Sequence, residues 1–260
     1  MKKWKIKIAF IVLFIFLIVF FFSLYHIILW YKDNQATNEQ IENLQNIIKI
    51  KESKDTTTTE MVDSSNYYNV DLLSVDFTNL LSLNNETMGW IQIPNTGINY
   101  PFVKHKDNSY YLTHSFDKSY NNAGWLFLDY RNHLDPLDTN TIIYAHGRID
   151  GTMFGSLKNV LTDEWLEKEQ YYIKVSTLSY NYLFEIFSAY HIKTTNDYLY
   201  TNFSNNVEYD NFLKKIKNRS MVFFDTSVNT KNKILTLSTC YNNSEKMVVH
   251  AKLVKQEKRY

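Results

Sequence analysis

An apolar run near the N-terminus constrains this chain more than any other feature of its sequence. Ile8–Phe22 is apolar without a break, and the run continues with a few polar interruptions to Tyr31. About 23 residues at roughly 1.5 Å each give a helix of roughly 34 Å, which is long enough to cross the hydrocarbon core of a bilayer. We therefore expect residues 8–31 to form a transmembrane anchor.

Charges and aromatic side chains at the two ends of this run indicate its orientation. Four lysines precede it and lysines are scarce just after it, which places residues 1–7 in the cytoplasm and the remainder outside the cell. Trp4 at one end, and Trp30 with Tyr31 at the other, are typical of membrane interfaces. The alternative is a cleaved signal peptide, but its apolar region is usually about 7–15 residues long and ends in small residues.

The charge balance argues against one class of partner. The whole chain has a formal net charge of +1, but residues 1–32 carry five lysines and no acidic residue, so residues 33–260 carry 1 − 5 = −4. A mildly acidic exterior gives no electrostatic reason to bind nucleic acid. The lysine cluster belongs to the membrane end of the chain.

The segment after the anchor is polar, and we interpret residues 32–65 as an extracellular linker. Apolar residues at helical spacing predict a short amphipathic helix over Asn38–Ile50, and the threonine-rich stretch Lys51–Glu60 predicts a flexible stalk. The composition then becomes globular. Residues 66–260 are ample for one domain with its own core.

Strand patterns dominate this domain. Short β-branched and aromatic segments predict eight strands: Trp90–Ile93, Ile98–Val103, Trp125–Tyr130, Thr141–Ala145, Tyr171–Thr177, Tyr182–His191, Ile234–Cys240 and Met247–Val254. Helical patterns cover Leu72–Leu83, Phe154–Leu166 and Asn206–Lys217. Many strands, few helices and no βαβ rhythm predict a mainly β fold with added helices, built on a mixed or closed β-barrel.

Cys240 is the only cysteine of the chain and ends one of the predicted strands. A lone cysteine outside the cell forms no intramolecular disulfide, so it is either a buried small hydrophobe or a reactive group. A cysteine nucleophile needs a basic or cationic neighbour, because a free thiol has a pKa of about 8.5, and it needs a donor for the oxyanion. The residues alone leave both interpretations open.

Among seven histidines, His146 has the most suggestive context. It follows the predicted strand Thr141–Ala145 and precedes Gly147 and a loop, which is a common place for functional residues. A structural role stays open for it from spacing alone. One cysteine and scattered histidines provide no metal-ligand spacing, and the chain has no phosphate-binding glycine motif, so we expect neither a metal nor a cofactor.

Several motifs, in the right order, resemble those of sortases. Thr236–Cys240 resembles the TLxTC nucleophile motif, and Tyr144–Leu157 resembles the histidine segment, with a Met-Phe-Gly-Ser-Leu ending similar to class B. Further class B-like positions are Met88–Ile91, Tyr100–Pro101, Asn108, Tyr111–Leu112 and Leu128–Asn132. The resemblance covers about residues 70–255, nearly the whole predicted exterior part.

This resemblance implies a fold and an activity. Sortases are membrane-anchored transpeptidases of Gram-positive bacteria with an eight-stranded barrel. Class B members add N-terminal helices and a helix between the sixth and seventh strands, which Asn206–Lys217 fits. Cys240 would attack the Thr carbonyl of a sorting signal similar to Asn-Pro-x-Thr-Asn and form a thioacyl-enzyme. His146 would protonate the leaving amine and deprotonate an incoming amine of the peptidoglycan cross-bridge or stem, on lipid II or the cell wall, or of a pilin lysine.

The resemblance also implies a substrate groove and reveals one departure from the family pattern. Positions that match the groove are Asn108, Leu112, Tyr144, Ser238 and Thr239. Sortases carry an arginine on the strand after the nucleophile, but no arginine occurs between Cys240 and Lys258, and Lys246 occupies the matching position. Lysine keeps the charge but loses the planar fork of donors. Lys246 is our first candidate for the role, with backbone N–H groups or Arg148 as alternatives.

Two other functions stay open at this point. One is a cysteine peptidase that releases a free acid, since the acyl-enzyme would be common to both reactions. The other is a weakly active protein with the sortase fold that binds sorting-signal peptides, an idea motivated by the missing arginine. The presence of both Cys240 and His146 argues against the second.

Overall fold

The computed structural model describes residues 2–47, 50–53, 59–63, 65, 67 and 69–259. The α-helices in this part of the chain are α1 Lys2–Ile47, α2 Thr78–Leu83, α3 Asp163–Leu166 and α4 Asn206–Asn218. The strands are β1 Ile50–Ser53, β2 Thr59–Met61, β3 Leu72–Val75, β4 Thr87–Gln92, β5 Asn99–Val103, β6 Phe127–Leu128, β7 Asn140–Tyr144, β8 Tyr172–Thr177, β9 Tyr180–Lys193, β10 Ile234–Cys240 and β11 Glu245–Lys258. Two 3₁₀ helices cover Tyr110–Leu112 and Leu157–Leu161.

Eight strands, β4 to β11, close into a barrel. Their order is β10-β7-β6-β5-β4-β8-β9-β11, and the pairing of β11 with β10 closes the ring. Antiparallel pairs predominate, with β10–β7 and β5–β6 parallel. The predicted mainly β fold with an eight-stranded barrel is therefore confirmed. Helix α4 lies between β9 and β10, the sixth and seventh barrel strands, which also agrees with the prediction.

Strand β10 lies at the centre of the arrangement that positions the site. It pairs in parallel with β7 and antiparallel with β11. Because side chains alternate along a strand, Leu235 and Leu237 enter the main core while Ile234 packs on the opposite face with the buried apolar side of α4. Cys240 ends the strand and is exposed. The parallel pairing brings the C-terminal ends of β7 and β10 to the same end of the barrel.

Helix α1 is longer than the sequence pattern predicts. The short helix predicted over Asn38–Ile50 is the last part of one continuous 46-residue helix, because no glycine or proline interrupts the segment. Its C-terminal half docks on the barrel domain, where Thr37 and Leu44 are buried. Within the described residues, α1 is one helix long and apolar enough to cross a membrane.

The segment between α1 and the barrel differs from the prediction of a flexible stalk. At its described ends, β1 pairs with β3, and β2 extends the sheet along β11 beyond the end of β10. Residues 54–58 of the predicted stalk lie outside the described residues. The ordered ends follow from backbone pairing with strands of the domain, which a polar composition does not exclude.

Two predicted helices are corrected by the structure. The first part of Leu72–Leu83 is strand β3, whose apolar side chains are buried, and only Thr78–Leu83 is helical. Phe154–Leu166 contains a 3₁₀ helix followed by the single turn α3, where the Thr162 side chain caps the N-terminus. The predicted strand Trp125–Tyr130 is reduced to the two residues of β6.

Candidate active site

A groove with a volume of about 400 Å³ lies at the ends of β7 and β10. All the site residues predicted from the sequence line it: Asn108, Leu112, Tyr144, His146, Ser238, Thr239, Cys240 and Lys246. These residues come from four separate stretches of the chain. The barrel therefore brings the nucleophile and histidine motifs together with the predicted substrate-binding positions.

Lys246 is in direct contact with the candidate nucleophile. Its Nζ donates a hydrogen bond to Cys240 Sγ over 3.2 Å, and the two residues are partners in the β10–β11 register. Arg148 is engaged elsewhere, because its guanidinium bonds Asp150, Thr152 and Asn34. Of the two cationic candidates, Lys246 is thus the one that the structure places at the thiol.

His146 lies at the end of β7 and is held by the backbone on both sides. Its Nε2 donates to the carbonyl oxygen of Leu112 over 2.8 Å. The next residue, Gly147, packs against β10 so closely that a Cβ there would lie 2.0 Å from the carbonyl oxygen of Cys240. Thr239 Oγ1 donates to the carbonyl oxygen of Ala145 over 2.7 Å. These contacts fix the histidine strand against the cysteine strand.

The hydroxyl of Thr239 is used in that strand-to-strand bond. Although Thr239 lines the groove, it is largely buried and its Oγ1 points to the neighbouring strand. Ser238, by contrast, shares a 3.0 Å hydrogen bond with Tyr198 inside the groove wall. The structure thus gives Thr239 a visible structural contact in addition to its predicted role.

A buried carboxylate supports the polar wall of the groove. Asp129 is fully buried and accepts hydrogen bonds from Asn108 Nδ2, Tyr144 Oη and the Arg131 guanidinium at 2.8 to 3.0 Å. Burial alone would raise the pKa of Asp129, but the bonds from Arg131 and Tyr144 and the positive charge of Arg131 hold it below its usual value. Burial, and then the charge of Asp129, raise the pKa of Tyr144 above its ordinary value. Tyr144 therefore stays a neutral donor.

The opposite wall comes from the segment between β9 and α4, which the sequence analysis missed. Tyr198 and Leu199 line the groove there, together with Thr195 and Asn196. Arg219 of the α4 C-terminus forms a bidentate pair with Asp197 at 2.9 and 2.6 Å. Arg131 donates to the carbonyl oxygen of Leu199 over 3.0 Å. The segment is therefore tied to both the helix and the β6–β7 connection.

The sequence carried a signal for only part of this support. Asp129 and Arg131 lie inside the motif-like stretch Leu128–Asn132, where a carboxylate directly after a buried strand could have been singled out. Tyr198 lies in a segment without apolar periodicity and far in sequence from either motif. Its position in the groove follows only from the fold.

Comparison with known proteins identifies the family. A model of the sortase domain matches residues 91–254. Sortase B of Staphylococcus aureus is 36% identical over 183 residues, covering 69% of this chain and 75% of that protein. Sortase B of Listeria monocytogenes is 37% identical over 183 residues, covering 69% and 74% respectively.

Solved structures agree with these matches. Sortase B from Bacillus anthracis, in complex with AAEK1, superposes with a TM-score of 0.71 at 36% identity, covering 86% of this chain and 99% of that one. A Staphylococcus aureus sortase B–substrate complex has a TM-score of 0.65 at 36% identity, covering 69% and 84%. Barrel, cysteine and histidine define a cysteine transpeptidase. The chain belongs to the sortase family, and its relatives place it in class B.

Proposed function

We propose that this protein is a membrane-anchored sortase that cleaves a sorting signal similar to Asn-Pro-x-Thr-Asn after its Thr and joins the protein to a peptidoglycan amine. The observation that carries the proposal is the meeting of Cys240, His146 and Lys246 in one groove, with Lys246 Nζ 3.2 Å from Cys240 Sγ. A cation at that distance favours the thiolate, which is the reactive form of cysteine. Class B relatives support a role in cell-wall anchoring.

The residues of the groove can perform both halves of a transpeptidation. The Cys240 thiolate attacks the Thr carbonyl carbon, a C–S bond forms, and the negative charge moves to the carbonyl oxygen within reach of a cation such as Lys246. The C–N bond then breaks, and protonated His146 gives its proton to the leaving amine. A thioester on Cys240 remains.

The second half reverses the roles with a new amine. The incoming amine attacks the thioester carbon and gives a proton to His146, and the C–S bond breaks to restore the Cys240 thiolate. No oxidant or cofactor enters this balance. The open end of the groove must therefore admit an amine after the first product has left.

The walls of the groove fit an extended polar peptide. Asn108, Tyr144 and Ser238 present amide and hydroxyl groups, while Leu112 and Leu199 add apolar surface. The Staphylococcus aureus sortase B–substrate complex, and a sortase B structure complexed with triglycine, support a peptide donor and an amine-bearing acceptor at the corresponding groove. We infer the same classes of ligand for this chain.

The long apolar part of α1 supports the anchoring part of the proposal. Its large side chains from Ile8 to Tyr31 are exposed in the structure and would be costly to leave in water. The lysines before the run favour a cytoplasmic N-terminus. The catalytic groove would then act on the outer side of the membrane.

The decisive experiment looks for the acyl-enzyme. The full chain in detergent is incubated with Asn-Pro-x-Thr-Asn peptides, and intact mass is measured, followed by addition of triglycine or diaminopimelate. We expect an adduct on wild type that the amine converts to a ligated product, with no adduct on Cys240→Ala and no turnover by His146→Ala. Free acid as the sole product with every amine would favour a peptidase. The absence of any adduct would favour a peptide-binding protein instead.

A further inference from the structure

The apolar part of α1 ends where its contacts with the barrel domain begin. Large apolar side chains of α1 are exposed up to Tyr31, and two residues later Asp33 accepts hydrogen bonds from the side chains of Asn121 and Asn122. At about 1.5 Å per residue, Asp33 lies only about 3 Å beyond Tyr31 along the helix axis. The domain therefore meets α1 at the level where an inserted apolar run would leave the bilayer.

A second connection meets the helix at the same level. Arg148, two residues after His146, donates a hydrogen bond to Asn34 Oδ1. Asn34 follows Asp33 directly, so the loop that carries the candidate catalytic histidine is tied to the first turn of α1 after its apolar part. The groove and the end of the apolar run are thereby held together by the fold.

Each of these two loops carries an exposed apolar or amphipathic side chain. Ile149, next to Arg148, is 99% exposed, and Tyr120, next to Asn121, is 69% exposed. Beside Ile149 the space is open, since a Cβ on Gly151 would have no neighbour within 4 Å. Isolated exposed apolar residues are common, but these two flank the same helix at the same level.

We propose that the barrel domain rests on the membrane surface through a contact face formed by Tyr120 and Ile149, so that the groove opens at the level of the lipid headgroups. The proposal rests on the membrane anchoring proposed above. An aliphatic side chain inserted below the headgroups, with a tyrosine hydroxyl among them, is the chemistry of an interfacial contact.

The charges of the two loops favour an apolar contact over an electrostatic one. Arg148 is paired with Asp150 at 2.8 Å, and Lys118 lies 3.6 Å from Glu86. Because these cations already have carboxylate partners, the face does not depend on anionic lipid. The contact is therefore expected with zwitterionic phosphatidylcholine alone.

The single cysteine of the chain makes this testable. In a Cys240→Ala background, one cysteine at a time is introduced as Ile149→Cys, Phe14→Cys or Leu178→Cys and labelled with an environment-sensitive fluorophore. Leu178 lies in the turn between β8 and β9, roughly 40 Å along β9 from the groove end of the barrel. The full chain is reconstituted in phosphatidylcholine vesicles, and quenching by headgroup spin-labelled lipid and the emission maximum are measured.

The three labels separate the proposal from the anchoring on which it rests. We expect a blue shift for Phe14 and Ile149, strong headgroup quenching for Ile149, and the emission of a label in water for Leu178. A blue-shifted Phe14 label with Ile149 behaving like Leu178 would overturn the contact face and leave the anchor intact. A Phe14 label that stays in water would overturn both. Quenching at Leu178 as strong as at Ile149, or an Ile149 signal that requires phosphatidylglycerol, would also overturn the proposed face.

Discussion

Lys246 Nζ lies 3.2 Å from Cys240 Sγ, and the two residues face each other across β10 and β11. Sheet pairing, and not a loop, sets this distance. The ammonium lies beside the atom that would carry negative charge before attack, and near the oxygen that would carry it afterwards. The position at which class B-like sequences suggest an arginine thus retains a cation in contact with sulfur.

Removing the Lys246 charge should impair the first chemical step. We expect Lys246→Ala to lower kcat/KM by about 10²–10³-fold, as for the loss of one oxyanion donor, while Lys246→Arg preserves or raises activity because guanidinium supplies a charge and a planar fork. The measurement is the rate of acyl-enzyme formation by quenched-flow mass spectrometry. Lys258→Ala, exposed at the other end of the same strand, is the matched control and should leave the rate unchanged. Wild-type turnover by Lys246→Ala would remove Lys246 from the mechanism.

The buried Asp129 carboxylate should make stability depend on acid pH. Its pKa is lowered in the folded chain, so its contribution to stability is fully present above the unfolded value of about 3.9 and is lost as the pH falls through the folded pKa. Asp129→Asn removes the pairing with Arg131 and should lower the free energy of unfolding by about 2 kcal/mol at pH 7. The difference from wild type should shrink below about pH 4.

Urea denaturation at several pH values checks this prediction. Asp225→Asn is the control, because Asp225 is exposed and should give a small difference at every pH. An Asp129→Asn variant whose deficit is constant from pH 7 to acid would show that the carboxylate charge does not contribute. The same variant should raise KM for peptide more than it lowers kcat, since Asn108 and Tyr144 both lose the acceptor that orients them.

The sequence predicted the two reacting groups because each ends a strand with a visible apolar pattern. His146 follows β7 and Cys240 ends β10, and the parallel pairing of these strands brings their ends together. The eight strands could be predicted for the same reason, since each has a β-branched or aromatic run. What the pattern could not give is their pairing order, which depends on contacts across the whole chain.

Other parts of the structure had no local signal, or a misleading one. Leu72, Leu73 and Val75 could belong to a helix or to a buried strand, and pairing with β1 decided for the strand. The groove wall at Tyr198 depends on the Arg219–Asp197 pair, which joins residues 22 positions apart in a region without periodicity. Such contacts are properties of the folded chain and are not written in any one segment.

Gly147 should be required for the alignment of the two strand ends. A Cβ at this position would lie 2.0 Å from the carbonyl oxygen of Cys240, so Gly147→Ala must displace the backbone next to His146 or Cys240. A shift of about 1 Å can lower kcat by about 10²-fold. Steady-state kinetics measure this, with Gly97→Ala as the control, because its new Cβ meets only a Ser156 side chain at 3.3 Å. Equal kcat for both variants would mean that the strand ends tolerate the displacement.

The Arg219–Asp197 pair should act on peptide binding and leave the chemistry in place. Arg219→Ala removes two hydrogen bonds that hold the Tyr198 segment to α4, so the groove wall must be ordered by the peptide itself. We expect KM to rise by roughly tenfold, equivalent to about 1.4 kcal/mol, with kcat nearly unchanged. Lys214→Ala breaks an exposed ion pair with Asp210 on the same helix and should change neither constant. A fall in kcat with constant KM for Arg219→Ala would indicate instead that the segment positions the reacting groups.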